Sequence, residues 1–78
     1  MHEVDLAIFR NNLKVLRSVH RLSARELAVK ADLRQLKRIS DFEDGRGKPS
    51  LDELYSICIT LNVSLDEILN KELRITYQ

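Results

Sequence analysis

The sequence predicts an all-α domain of five helices, and three observations carry that prediction. The pattern Ser-x-x-Glu recurs at residues 23–26, 50–53 and 64–67. In each, the serine side chain can cap an early helical N–H while the glutamate reaches back to the serine N–H, a reciprocal arrangement that opens a helix. Apolar residues follow a helical rather than an alternating period. One Pro and two Gly in 78 residues leave little material for a turn-rich chain.

The elements follow in order. Leu6, Phe9, Leu13 and Leu16 fall at i, i+3, i+7 and i+10, an amphipathic stripe over about residues 5–19. Ser23 opens a short second helix over about 24–31. A third spans roughly 33–44. Gly45 after it suits a left-handed cap, and Pro49 blocks continuation. Ser50 opens a fourth helix over about 51–61, which Asn62 stops, and Ser64 opens a fifth over about 65–73. Residues 73–77 alternate apolar and polar, and fraying or docking on a partner is expected there rather than an isolated strand. The organisation is thus a tail (1–5), one domain (6–70) and a dimer-associated C-terminal tail (71–78).

Composition narrows the function. The single cysteine, Cys58, cannot form an internal disulfide, and its apolar neighbours Ile57, Ile59 and Leu61 make it a buried thiol. One Cys and two distant His give no metal-ligand spacing, so neither metal nor cofactor is expected. Residues 1–5 lack the basic and apolar regions of a signal peptide, and no apolar run approaches the ~18 residues of a membrane span. A cytoplasmic protein with no membrane partner is expected. Net charge is only +1, but residues 17–48 hold nine Lys/Arg against five Asp/Glu, while the remainder holds four against seven. Positive charge is gathered in the middle of the chain.

Several segments together resemble the phage repressor/Cro-type helix-turn-helix family. They are Leu22-Ser-Ala-Arg-Glu-Leu-Ala28, Ile39-Ser-Asp-Phe-Glu-Asp-Gly45, Pro49-Ser-Leu51 and Leu61-Asn-Val-Ser-Leu-Asp-Glu-Ile-Leu69. The family pattern is S/T-Q-x-E-L-A-x-x-x-G-V/I-S-x-x-x-I-S-x-x-E-x-G, followed by P-S-L and L-x-V-S-x-D-E-L, and the likeness covers about residues 9–70. It implies a five-helix lambda-repressor-like fold and a homodimeric transcription regulator, a repressor or controller that binds a double-stranded DNA operator. Phage repressors, antitoxins and restriction–modification controller proteins all fit this size.

The resemblance also assigns residues. The family pairs an Arg of the first helix with the Glu of I-S-x-x-E, here Arg17 and Glu43, as a structural ion pair. Ala28 stands where two helices must cross closely. On a helical wheel with Ile39 inward, Leu36, Phe42 and Glu43 lie on or beside the apolar face, and Arg34, Lys37, Arg38 and Asp41 lie opposite. These four, with Gln35, are the expected base readers in a major groove about 12 Å wide. Ser23, Arg25, Ser40, Arg46 and Lys48 are the expected phosphate contacts, with Arg21 a weaker one. The fourth and fifth helices and the 73–77 tail are the expected dimer surface, with Leu65, Ile68, Leu69, Leu73 and Ile75 as its candidate residues, several of them alternatively core, and half-sites about 34 Å apart.

The chain also departs from the pattern. Ala24 replaces the family's Gln, Asp32 replaces the turn Gly, Arg34 stands near the usual Ser cap, and one extra residue separates Asp32 from Ile39. Either the turn is longer and the third helix starts near Arg34, or Asp32 caps a helix from 33. A straight helix cannot bury both Leu33 and Phe42, which lie about 180° apart, so Leu33 is expected to pack from the turn. Ala24, the extra residue and the low net charge favour an alternative, a protein-interaction module that kept the fold without strong DNA affinity. An enzyme is not expected: His2 and His20 are isolated, and no nucleophile has a base beside it.

Overall fold

The computed structural model describes residues 6–73, which form five helices and, among the described residues, no strand. They are α1 (Ala7–His20), α2 (Ala24–Lys30), α3 (Arg38–Glu43), α4 (Leu51–Leu61) and α5 (Leu65–Asn70). All three expected capping boxes are formed, by Ser23 with Glu26, Ser50 with Glu53 and Ser64 with Glu67. The serine oxygens accept the glutamate N–H at 3.0, 3.2 and 3.0 Å.

The helix ends share a second device. Arg21, Asp32, Gly45 and Asn62 all have positive φ. At each, the N–H of the left-handed residue and the N–H of the next residue both turn back onto carbonyls of the helix just finished. Four of the five helices therefore stop in a Schellman motif. In three of them the residue after the left-handed one is apolar, and Leu22, Leu33 and Val63 pack against the core. Each stop signal is thereby also a core contact.

That core is made by Phe9, Leu13 and Leu16 of α1, Leu27 and Ala28 of α2, Ala31 just beyond it, Ile39 and Phe42 of α3, Ile57, Cys58 and Leu61 of α4, and Ile68 of α5. The Phe9 and Phe42 rings meet in a tilted pair with centroids 6.2 Å apart. Ala28 is fully buried, as close helix crossing requires.

One polar side chain lies at the centre. Asn12 is completely buried on the apolar stripe of α1. Its amide nitrogen donates to the carbonyls of Ile68 (2.9 Å) and Lys71 (2.8 Å), and its carbonyl accepts the Leu73 N–H (2.9 Å). Asn12 thus terminates α5 and ties the following residues to α1. Among the described residues no buried side-chain nitrogen or oxygen lacks a partner.

Two helices end differently from expectation. α5 stops at Asn70, not at 73, because Lys71 turns extended and residues 71–73 dock through Asn12. The C-terminal boundary expected after residue 70 therefore cuts through docked chain. α3 covers six residues rather than 33–44. Asp32 closes α2 with φ +56, so it cannot cap a helix beginning at 33. Leu33 packs from the turn, as the rotation argument requires. The longer turn is the form adopted, and it reaches Lys37 rather than Arg34. Leu36, expected on the inward face, is consequently 41% exposed. Residues 1–5 and 74–78 lie outside the described residues, and with them the expected N-terminal tail, Ile75 and all of the expected C-terminal tail beyond Leu73.

Candidate nucleic-acid interface

The segment joining α2 to α3 is an arch with fixed feet. At one end Leu33 is held by its N–H bond to Ala28 and by the core. At the other, Arg38 is fixed in three ways. Its Nε and Nη2 donate to the two oxygens of Glu53 at 2.9 and 2.8 Å. Its guanidinium lies 4.4 Å from the Phe42 ring centre. Its Nη2 also reaches the Lys48 carbonyl at 3.4 Å.

Between these feet Arg34, Gln35, Leu36 and Lys37 are all exposed. The arch and α4 enclose an open cleft of about 450 Å³, whose wall includes Arg34, Gln35, Arg38, Asp52, Glu53 and Ser56. Arg25, Arg46 and Lys48 are also exposed, and Asp41 is half-buried in the first turn of α3.

Three expected contacts change character. Arg38, expected at a base edge, has its fork committed to Glu53 and is a positioning residue in the free protein. Hydrogen bonds from Arg38 lower the Glu53 carboxyl to about 2, and the Ser50 bonds add to the effect. Ser40, expected at a phosphate, donates its hydroxyl proton to the Lys37 carbonyl at 3.0 Å. Ser23 has its hydroxyl and N–H engaged with Glu26, whose carboxyl those bonds hold below the usual range. An ionised carboxylate therefore sits on the α2 terminus where an anion was expected.

The Arg17–Glu43 pair is formed. Nε and Nη2 of Arg17 donate to the two carboxylate oxygens at 2.6 and 2.7 Å, a bidentate fork. Nη1 donates to the Leu22 carbonyl at 3.0 Å. Hydrogen bonding to Glu43 raises the arginine pKa further. One guanidinium thus holds the end of α3 and the α1–α2 turn together.

The expected dimer surface on α5 dissolves into the core. Ile68 is fully buried, and Leu69 and Leu73 pack against the core. Only Leu65 is exposed among the expected residues that the structure describes. For Ile68, Leu69 and Leu73 the alternative reading, core, is the one that the structure bears out.

Among the described residues, no group of three or more His, Cys, Asp or Glu is placed to hold a metal ion. No helix there is long and apolar enough to cross a membrane. Neither a family model nor a curated protein sequence matches the chain.

Proposed function

We propose that this chain is a sequence-specific DNA-binding regulator of the repressor or controller type, acting in the cytoplasm as a homodimer on a near-palindromic duplex. The observation that carries the reading is the anchored arch at 34–37, which holds Arg34, Gln35 and Lys37 outward in front of two packed helices. In this reading α2 braces a lambda-repressor-like helix-turn-helix, and the arch with the start of α3 enters the major groove. Arg34 and Lys37 donate to guanine O6 and N7, Gln35 pairs with adenine, and Asp41 accepts from cytosine N4. Arg25, Arg46 and Lys48 hold phosphates. The resemblance to Cro-type regulators supports the same reading.

Salt-dependent binding to duplex DNA tests it. Each neutralised phosphate contributes about −0.9 to the slope of log K against log salt, so three contacts on each protomer of a dimer give an expected slope of roughly −5. A chain that binds no duplex at about 50 mM salt overturns the proposal.

A second reading is a protein-interaction module on the same fold. The commitment of Arg38 to Glu53 and the short α3 favour it. Duplex binding too weak to measure, with another protein bound at the arch, decides for it.

A further inference from the structure

α4 carries apolar side chains on a face that no other described element covers. Leu51, Tyr55 and Ile59 are 71, 62 and 62% exposed. Spaced at i, i+4 and i+8, they form one row about 12 Å long, each turned only about 40° from the next. The core residues Ile57 and Leu61 lie about 160° and 120° around the helix from Tyr55. α4 therefore has two apolar faces, and the fold uses one.

We propose that the row is a two-fold interface, and that its occupant is the same row of a second copy of this chain. The two α4 helices run antiparallel, Tyr55 meets the partner's Tyr55, and Leu51 meets the partner's Ile59. This rests on the homodimer reading above and narrows its surface, of the two helices expected there, to α4.

The spacing supplies the first argument. A two-fold contact requires that if residue i meets j, then j meets i. A row extending four residues to either side of Tyr55 meets that condition. Area supplies the second. A specific interface takes about a tenth of a small protein's surface, here roughly 600 Å² of 5773 Å². A tyrosine of this exposure offers roughly 150 Å², and the whole row roughly 400 Å². The rim supplied by Asp52 and Ser56 contributes toward the rest. Charge supplies the third. α4 contains no Lys or Arg, so the row is unsuited to phosphate. Glu53 is drawn off to Arg38, and antiparallel pairing sends the two Asp52 side chains to opposite rims.

Sedimentation of the full chain, without DNA, tests the proposal. The native chain is expected to dimerise. Tyr55→Glu weakens association about 30-fold or more, with an unchanged helical circular dichroism spectrum. Tyr55→Cys forms a disulfide-linked dimer on mild oxidation faster than Val29→Cys, a comparably exposed control on α2. Cys58 is buried and stays out of this reaction. A native chain monomeric at every concentration reached, a Tyr55→Glu variant that sediments like the native chain, or equal cross-linking at 29 and 55 overturns the proposal. A chain that dimerises through α4 and binds no duplex overturns the DNA reading alone. One that binds duplex as a dimer which Tyr55→Glu leaves intact overturns this one alone.

Discussion

Arg38 and Glu53 form a bidentate ion pair that joins the first residue of α3 to the first turn of α4. The same carboxylate accepts the Ser50 N–H at 2.9 Å and so closes the α4 capping box. One acid thus serves two helices that are separated by the loop 44–50. The pair is about a quarter exposed, so its worth is modest, about 1 kcal/mol.

That pair makes stability depend on pH with a definite sign. Glu53 titrates near 2 in the fold against an ordinary value of 4.5. A carboxyl lowered on folding contributes stability that is full above its unfolded pKa and is lost as pH falls through the folded one. The contribution should therefore be complete above about pH 5 and vanish toward pH 2. Arg38→Gln is expected to cost about 1 kcal/mol at pH 7, with the gap from the native chain closing in acid. Urea denaturation at several pH values checks this. A gap independent of pH would show that the pair is not its source.

Arg17 and Glu43 should respond unequally to truncation. Arg17→Ala leaves a carboxylate only 6% exposed without its partner and also frees the Leu22 carbonyl, for a loss of about 3 kcal/mol. Glu43→Ala leaves a guanidinium that is 23% exposed, reaches water and keeps its bond to Leu22, so about 2 kcal/mol is expected. Thermal or denaturant melts of both variants measure the order, and the reverse order would refute this account.

Asn12→Ala should cost about 2 kcal/mol, because it removes the partner of the buried Ile68 carbonyl and of two half-buried groups, the Lys71 carbonyl and the Leu73 N–H. The loss should be local before it is global. Amide exchange is expected to rise first in α5 and residues 71–73, with α2 and α3 unaffected. Uniform acceleration across all five helices would argue against the clamp.

The groove-reading proposal separates two kinds of basic residue. Selection of bound sequences from random duplexes should give a relaxed motif for Lys37→Ala. Arg46→Ala should instead weaken binding to all sequences alike, because a phosphate contact carries no sequence information. Arg38→Gln should leave the selected motif unchanged, since its fork is turned to Glu53.

What was legible in the sequence was local. Ser23, Ser50 and Ser64 each meet a glutamate three residues on, so their caps are written in the chain. Gly45 and Asn62 mark their stops because few residues tolerate a left-handed backbone. The Arg17–Glu43 pair spans 26 positions and was reachable only through the resemblance. The role of Asn12 was not legible. Its place on the stripe three residues after Phe9 was visible, but its partners lie 55 to 61 residues away. The start of α3 failed for a different reason. Asp32-Leu-Arg-Gln35 looks like a cap, yet Asp32 is already used to end α2, and one residue cannot do both. Ile68 fits either a dimer face or the core by its helical spacing, and its burial is decided by packing against distant helices.

The Schellman stop, completed by the Leu33 N–H, and the clasp at Arg38 leave four residues, 34–37, between them. Ordering a backbone residue costs about 1–2 kcal/mol of entropy, so a long floppy segment forfeits much of its contact energy on binding. An arch held at both feet has met most of that cost during folding. Whatever surface Arg34, Gln35 and Lys37 engage, they meet it from a conformation largely set beforehand, and side-chain rather than main-chain freedom is what remains to be lost.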